Sequence, residues 1–371
     1  MVLEFRSPVL LLKTPSDPSV EARPSDADAR ARSKGLIVKF GTTTTPWWLH
    51  DVANAALSCQ PDYCLIPLEG GRPSSPFTLQ FLRLAAKAIG VLWRARNDGY
   101  RYIFTIETDW LTFIMAGVQT LLWLRTPRHV VLQFVMRERV PGFRSALKYA
   151  FMRWCFSSVH LFVCPSRFEI ERYASAFRLP KERFAFVASP INRALLERQA
   201  AREDPIVLSA GRTFRDYPTL LEAAAGTGLS LTIVAGNGNL GDAPIPENVT
   251  VQHDIPGHEL TDLIARCMIV VVTLEERHIS AGQSVLLEAM ALGKPVIATR
   301  VTGIVDYVDD MTTGILVPPG DSGRLREAMV LLASDPTLRR SLGDAAREQI
   351  RRRHVPGRFA REVSRVLSRC Q

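Results

Sequence analysis

The amino-acid sequence predicts an α/β protein of two doubly wound, Rossmann-like domains that face each other across a cleft. Short apolar strands alternate with helical segments from Gly35 onward, which is typical of parallel sheets covered by helices on both faces. The alternation is interrupted by the charged stretch 193–204 and starts again at Ile206. A chain of 371 residues has room for two domains of ordinary size. We therefore expect ligands at the carboxyl ends of the strands.

The first half of the chain has the pattern of one such domain, over residues 35–195. The preceding residues 1–34 mix Pro, Ser, Asp and Arg, and this composition predicts a flexible arm. The longest apolar run, residues 111–124, is too short to span a bilayer and predicts a buried helix. Strands are predicted at 36–40, 63–67, 102–106, 130–135, 161–164 and 184–187, and helices from about Trp47 and at 77–96, 110–124, 143–157 and 166–176.

The second half repeats the pattern over residues 196–355, with a linker predicted at 193–204. A carboxyl-terminal helix over 356–371 is expected to pack back on the first domain. Strands are predicted at 206–210, 229–235, 249–252, 269–273, 295–299 and 314–317, and helices at 217–225, 259–266, after Gly282, 322–332 and 336–353.

The composition limits the classes of partner. The net charge of +9 permits nucleic acid, an anionic membrane or anionic substrates. No zinc-finger, RNP-like or helix-turn-helix pattern supports nucleic acid, so none is predicted as a partner. The six cysteines are scattered without a C-x-x-C pair, which indicates reduced thiols and no zinc site. With no secretory signal evident, the chain is predicted to be cytoplasmic, either free or peripheral on the inner face of the membrane.

The stretch SAGQSVLLEAMALGKPV, residues 280–296, carries the most information about a ligand. A short polar turn runs into an apolar helix, and the start of a helix presents unpaired N–H groups and a positive dipole end to an anion. Glu288 follows Ser284 by one helical turn, so the two share a face about 6 Å apart along the axis. This spacing suits a nucleotide diphosphate, with its phosphate at one end and its ribose diol at the other.

Two longer stretches resemble a known family. The run SVLLEAMALGKPVIATRVTGIVDYVDDMTTGILVPPGD from Ser284, with GR-x-x-RDY-x-x-L at 211–220, is similar to the carboxyl-terminal domain of GT-B glycosyltransferases of retaining family 4, the glycosyl transferases group 1 type. The resemblance covers about residues 206–353 and, more weakly, 35–192. It implies retaining transfer of a sugar from a UDP- or GDP-linked donor, without a cofactor, to a hydroxyl of a glycan, a lipid-linked molecule or a natural product.

The family signature places two glutamates eight positions apart. Glu288 matches the second one, which in the family holds the ribose. Ser280 stands where the first one touches the donor sugar, so this chain departs from the pattern at a catalytic position. Glu275, Glu276 or His278 of the same loop are alternative sources of a polar group, and the sequence does not choose between them.

The resemblance also assigns the donor diphosphate. Gly211, Arg212 and Arg215 match the segment that binds pyrophosphate, and the two arginines are the implied catalytic cations. A surface ion pair, for instance between Arg215 and Asp216, is the alternative. The implied set is completed by the turn at Gly282, Gln283 and Ser284, whose N–H groups meet the β-phosphate, and by His253 near the base.

The first domain is expected to bind the acceptor. Thr43, Thr44 and Trp47 follow its first strand, and Glu107 follows a later one, so all four are predicted at the carboxyl edge of the sheet. Hydroxyls and indoles suit sugars, although ordinary packing explains the tryptophan equally well. The acidic Glu107-Thr108-Asp109 mimics a metal motif, but it lies in the wrong domain for the donor. We predict no required metal.

Two further alternatives remain open. The segment Phe143–Phe156 (FRSALKYAFMRWCF) mixes basic and aromatic residues and predicts either peripheral contact with an anionic membrane or a helix packed on the sheet with a solvated basic edge. Because the first signature glutamate is replaced, two other functions of the protein remain as alternatives. These are a non-catalytic sugar-nucleotide-binding partner of another glycosyltransferase and a GT-B epimerase.

Overall fold

The computed structural model describes residues 10–12, 35–40, 61–66, 77–106, 110–137, 141–198, 202–241 and 243–369. The chain divides into two compact units. The first contains Met1–Cys164, Ile170–Val187 and Ala360–Gln371, and the second contains Pro165–Glu169 and Ala188–Phe359. Each unit has its own sheet flanked by helices, so the predicted α/β class is confirmed.

The first unit contains a seven-stranded sheet in the order β1-β3-β2-β4-β5-β6-β7. Neighbouring strands are parallel except for β1, which pairs antiparallel with β3. β1 lies within the predicted flexible arm, where three leucines are too short a run for any periodicity to show. The strands are β1 (Leu10–Leu12), β2 (Gly35–Phe40), β3 (Pro61–Ile66), β4 (Tyr102–Ile106), β5 (Arg128–Leu132), β6 (Val159–Cys164) and β7 (Phe184–Phe186).

Four helices follow the early strands: α1 (Phe77–Asn97), α2 (Trp110–Leu121), α3 (Phe143–Phe156) and α4 (Arg167–Phe177). α2 ends earlier than its apolar run predicts, because Trp123 adopts a left-handed conformation with φ 54°. The N–H of Leu124 then bonds back to the carbonyl of Gln119 at 2.9 Å, which is a Schellman-type termination. Among the described residues, none of the helices has both the length and the apolar character needed to cross a bilayer.

The second unit contains a six-stranded, fully parallel sheet in the order β10-β9-β8-β11-β12-β13. The order runs outward on both sides from β8, so the sheet has a topological switch point between β8 and β11. Doubly wound sheets bind ligands outside the carboxyl ends of the strands at this point. The strands are β8 (Ile206–Ala210), β9 (Ser230–Ala235), β10 (Val249–His253), β11 (Ile269–Val272), β12 (Val296–Thr299) and β13 (Ile315–Val317).

Three of the later helices, α6, α9 and α10, begin directly after an aspartate that caps them. Asp216, Asp321 and Asp335 each accept an N–H bond from the first turn that follows them. A short helix, α5, lies in the predicted linker. The helices are α5 (Ala194–Glu197), α6 (Tyr217–Ala224), α7 (Gly257–Arg266), α8 (Gln283–Ala291), α9 (Ser322–Ser334), α10 (Pro336–Arg353) and α11 (Pro356–Arg369).

Two buried histidines predict that the stability of the fold depends on pH. His354 follows α10, and its Nδ1 lies 3.0 Å from the carbonyl oxygen of Ser189. Burial lowers the pKa of His354 to about 4, against 6.5 for a free side chain. His129 is also buried, which lowers its pKa to about 3.

Between pH 6.5 and about 4 the unfolded chain therefore binds a proton at position 354 that the folded chain does not. We expect the free energy of unfolding to fall with pH in this window, by up to about 1.4 kcal/mol per pH unit for this group. His354→Gln should reduce that slope in urea unfolding at pH 7, 6 and 5. His258→Gln, at an exposed histidine of α7, is the control, and an equal slope in wild type and both variants would contradict the account.

Candidate functional site

The candidate site lies at the switch point of the second sheet, where β8 and β11 end side by side. The chain leaving β8 and the chain leaving β11 pair with each other: Arg215 and Leu274 form an antiparallel bridge. The N–H of Glu275 donates to the carbonyl of Phe214 at 3.0 Å. The segment that carries Arg215 is thus held by backbone hydrogen bonds against the start of the loop that leads to Ser280.

Arg215 is the buried cation of this site. Arg215 is only 8% exposed, and its Nε donates a hydrogen bond to the carbonyl oxygen of Ala210 at 2.8 Å. Burial lowers the pKa of Arg215, and the neighbouring Tyr217 opposes this shift. No ion pair that the structure describes joins Arg215 to a carboxylate. A buried charge without a counter-ion is unfavourable, so an anionic ligand here would remove that penalty.

Two glycines make room for this guanidinium. A Cβ on Gly211 would lie 2.3 Å from Nε and from Nη2 of Arg215, and its φ of 136° disfavours any other residue. A Cβ on Gly282 would lie 2.9 Å from Cδ1 of Leu274 and 3.1 Å from Nη1 of Arg215, again at positive φ. The space beside Gly282 is thus filled by the side chains of Leu274 and Arg215, and a side chain at 282 would collide with them.

The start of α8 is available to an anion. Its N-cap is Gly282 in the left-handed conformation, and no side chain caps the first turn. Ser284 is exposed, and the side-chain amide of Gln283 donates to the carbonyl of Gly303 at 3.0 Å. The first-turn N–H groups and the positive end of the helix dipole therefore lie beside Arg215 without a protein acceptor from a capping side chain.

Glu288 lies one turn further along α8 and is partly buried. The hydroxyl of Thr261, on α7, donates to its Oε1. Burial raises the pKa of Glu288, while the Thr261 bond and the charge of Arg198 lower it. The hydrogen bond from Thr261 therefore holds the carboxylate of Glu288 on the helix face that sequence analysis predicted.

Ser280 is linked to a carboxylate that sequence analysis missed. Its N–H and its hydroxyl donate to Oε1 and Oε2 of Glu169, each at 2.8 Å. Glu169 lies in the first turn of α4 and is fully buried, in the short segment that groups with the second unit. The only sequence signal was a carboxylate between Phe168 and Ile170, and nothing in it points to a residue 111 positions away.

The three alternative polar residues of the same loop are engaged within it. Glu276 accepts from the N–H of His278 at 2.8 Å and from the N–H of Thr302 at 3.3 Å. The ring of His278 stacks on Phe168 with centroids 5.7 Å apart, and Glu275 pairs with Arg277. These contacts fix the shape of the loop that precedes Ser280.

The second predicted cation, Arg212, is placed differently. Its Nη2 lies 2.6 Å from Oδ1 of Asp254, and both side chains are exposed. The surface ion pair that sequence analysis considered for Arg215 thus forms at Arg212, while Asp216 caps α6. Exposed pairs contribute little stability, so an anion can replace Asp254 at low cost. His253 is the exposed last residue of β10, directly before this aspartate.

The predicted acceptor residues Thr43, Thr44, Trp47 and Glu107 lie outside the described residues. The acceptor half of the site therefore stays a prediction. Within the described ranges no group of three or more His, Cys, Asp and Glu side chains is arranged to hold a metal ion. Independence from metal also stays a prediction.

Comparison with known proteins finds a family match in the second half of the chain. Residues 196–349 match the family model of glycosyl transferases group 1. The alpha-D-kanosaminyltransferase of Streptomyces kanamyceticus is 29% identical over 195 residues, which is 47% of this chain and 49% of that protein. The match thus spans about half the length of this curated relative.

Solved structures extend the likeness to most of the chain. A sucrose-phosphate synthase from Thermosynechococcus elongatus aligns with a TM-score of 0.63 at 19% identity, over 91% of this chain and 99% of that one. The Anabaena protein HepE, solved in complex with UDP, aligns with a TM-score of 0.64 at 16% identity, over 91% and 100%. At this identity the likeness shows the fold. The chain therefore has the GT-B fold, and its residues 196–349 match the model of the glycosyl transferases group 1 family, as its motifs predicted.

Proposed function

We propose that the protein is a retaining hexosyltransferase that moves a sugar from a UDP- or GDP-linked donor to an acceptor hydroxyl. The observation that carries the proposal is the buried Arg215 guanidinium, which has no ion-paired carboxylate among the described residues and lies beside the uncapped start of α8. A group 1 domain that aligns with a UDP-bound protein supports a nucleotide at this place.

Different residues of the site would bind different parts of the donor. Arg215 and the first N–H groups of α8 would stabilise the negative charge that grows on the leaving diphosphate. Arg212 would join them after exchanging Asp254 for phosphate. Glu288 would accept hydrogen bonds from the ribose hydroxyls through the carboxylate oxygen that Thr261 does not bond. Ser280 would lie near the donor sugar. Two cations in this role make a metal ion unnecessary.

Retention of the anomeric configuration is part of the proposal and rests on the family resemblance. Glu169, which accepts from Ser280, and Glu276 of the preceding loop are both hydrogen-bonded to backbone N–H groups, so we assign neither of them as a nucleophile. We propose attack from the face that the diphosphate leaves. The acceptor oxygen bonds to the anomeric carbon, the carbon–phosphate-oxygen bond breaks, and the departing phosphate oxygen takes the hydroxyl proton.

The acceptor side of the proposal rests on the first unit. Thr43, Thr44, Trp47 and Glu107 would meet the acceptor. α3 exposes Phe143 (83% exposed), Leu147 and Phe151 beside three basic residues, while it buries Met152, Cys155 and Phe156. This face supports peripheral contact with an anionic membrane from the cytoplasm. The basic residues of α3 are Arg144, Lys148 and Arg153.

A non-catalytic sugar-nucleotide-binding partner is the second candidate, because Ser280 replaces the first signature glutamate. Incubation of the purified chain with UDP- and GDP-sugars and a panel of acceptors separates the two functions. We expect acceptor-dependent release of nucleoside diphosphate and, by NMR, an unchanged anomeric configuration. Binding without turnover would favour the partner function, and a change of the sugar without any acceptor would favour an epimerase.

Glu288→Gln should weaken donor binding. Loss of the charged acceptor for the ribose hydroxyls is expected to cost about 1–3 kcal/mol, which is roughly 5- to 150-fold in affinity. Isothermal titration with UDP and with its 2′,3′-dideoxy analogue measures this, because the analogue lacks both hydroxyls. The variant should bind the two alike, whereas Glu259→Gln, on the exposed first turn of α7, should behave as wild type. An unchanged preference for the diol in Glu288→Gln would reject the ribose role.

A further inference from the structure

Basic residues mark the amino ends of four neighbouring strands in the first sheet. Arg101 directly precedes β4, Arg128 opens β5, His160 is the second residue of β6, and Arg183 directly precedes β7. These strands are adjacent and parallel, so the four side chains belong to one edge of the sheet. It is the edge opposite the carboxyl ends, where doubly wound sheets bind their usual ligands.

A cavity of about 880 Å³ opens at this edge. Its walls include Arg125, Arg128, Arg183 and His160, together with Trp123 from the end of α2. Trp154 of α3 completes the aromatic part of the lining. The volume is that of a small-molecule site, and the lining combines cations with two large aromatic rings.

The positive charge of this cavity is not balanced by acids. Within the described ranges, the lining arginines Arg125, Arg128 and Arg183, and also Arg101 at the same sheet edge, form no ion pair with a carboxylate. Nη1 of Arg128 and Nε2 of His160 are buried without a hydrogen-bond partner. Burial, and then the charges of Arg128, Arg183 and Arg101, lower the pKa of His160. An anion in the cavity would offset this unbalanced charge.

Trp123 gives a second, independent indication. It is 85% exposed and holds a left-handed conformation, φ 54°, at the position after a helix that glycine usually occupies. A bulky residue is unfavourable there, and an exposed indole gains nothing from folding. A ligand that covers the ring would explain why tryptophan stands at this position.

We propose that this cavity binds the phosphate group of an amphiphilic ligand, with the arginines holding the phosphate and Trp123 and Trp154 covering the apolar part. Guanidinium forks match phosphate oxygens, and indole rings suit the boundary between a polar head and an apolar chain. The same chemistry is offered by a lipid head group and by a soluble phosphate ester. The inference does not depend on the proposed sugar transfer, because the donor residues lie in the second unit.

The test measures binding of the full chain to two kinds of probe. One arm uses phosphatidylcholine vesicles with and without phosphatidylglycerol, and the other uses inorganic phosphate and glycerol 1-phosphate in solution. The variant Arg125→Gln/Arg128→Gln should bind the effective probe about tenfold more weakly or worse. Loss confined to the vesicle arm assigns a lipid source, and loss in solution assigns a soluble one. Equal binding of wild type and variant in both arms would overturn the proposal.

A second variant separates binding from folding. Trp123→Gly should raise or preserve the melting temperature, because glycine adopts positive φ without strain, while binding of the same probe weakens several-fold. Trp93→Gly, at an exposed tryptophan outside the cavity lining, should leave probe binding unchanged. UDP affinity should be the same in all these variants, so failure here is distinguishable from failure of the transfer proposal. Undiminished probe binding by Trp123→Gly would refute the role of the tryptophan.

Discussion

Replacement of Arg215 with methionine is expected to reduce sugar transfer by about 10²- to 10³-fold while leaving the protein as stable as wild type or more so. The loss of rate follows because the guanidinium stabilises charge that develops on the leaving diphosphate. The gain or constancy in stability follows because a buried cation without an ion-paired carboxylate among the described residues is replaced by an apolar side chain of similar length.

The two effects have opposite signs, which makes the prediction discriminating. Steady-state transfer kinetics and urea unfolding of the same preparation measure them. Arg324→Met, at an exposed arginine of α9 that pairs with Glu327, should leave transfer unchanged. A variant that keeps its activity, or one that loses activity only because it unfolds, would show that Arg215 is a structural residue and not a ligand for the diphosphate.

Gly211→Ala should be equally damaging for a different reason. The new Cβ would lie 2.3 Å from Nε and Nη2 of Arg215, so the guanidinium must leave its place. The backbone at φ 136° adds strain of about 1–3 kcal/mol for a residue with a side chain. We expect both a loss of stability, seen in urea unfolding, and a loss of transfer comparable to that of Arg215→Met.

A double-mutant cycle tests this explanation. In an Arg215→Ala background the clash disappears and only the backbone strain remains, so Gly211→Ala should cost less there, by about 0.5–3 kcal/mol. The transfer losses should likewise fail to add, because both substitutions remove the same guanidinium. Additive losses of stability and activity would mean that Gly211 matters for its backbone alone.

The elements of the second unit could be predicted because the signals for them lie close together in the sequence. Four of its strands, β8, β11, β12 and β13, are buried on both faces and therefore read as short apolar runs, and β8 and α10 were predicted to the residue. Parallel strand ends meet at one edge, so the residues after β8 and β11 were expected together, and the structure pairs Arg215 with Leu274. Gly282 and Glu288 were also predicted from a local pattern, the polar turn that opens an apolar helix.

What could not be predicted depends on contacts between distant segments or on unusual conformations. The bond from Ser280 to Glu169 joins residues 111 apart, and no local pattern indicates it. The pairing of Arg212 with Asp254 joins the segment after β8 to the segment after β10, with β9 between them, and only the strand order reveals this neighbourhood. The early end of α2 depends on a tryptophan in a conformation that helix statistics assign to glycine.

The affinities of UDP and uridine for wild type and for Arg215→Met, measured by calorimetry in a single buffer, test the central claim most directly. If the diphosphate binds at Arg215 and the start of α8, wild type should prefer UDP over uridine by about 100-fold or more, and the variant should lose most of this preference while binding uridine as before. If the donor of the transfer proves to be GDP-linked, GDP and guanosine replace this pair. An equal preference for the diphosphate in wild type and variant would contradict the account.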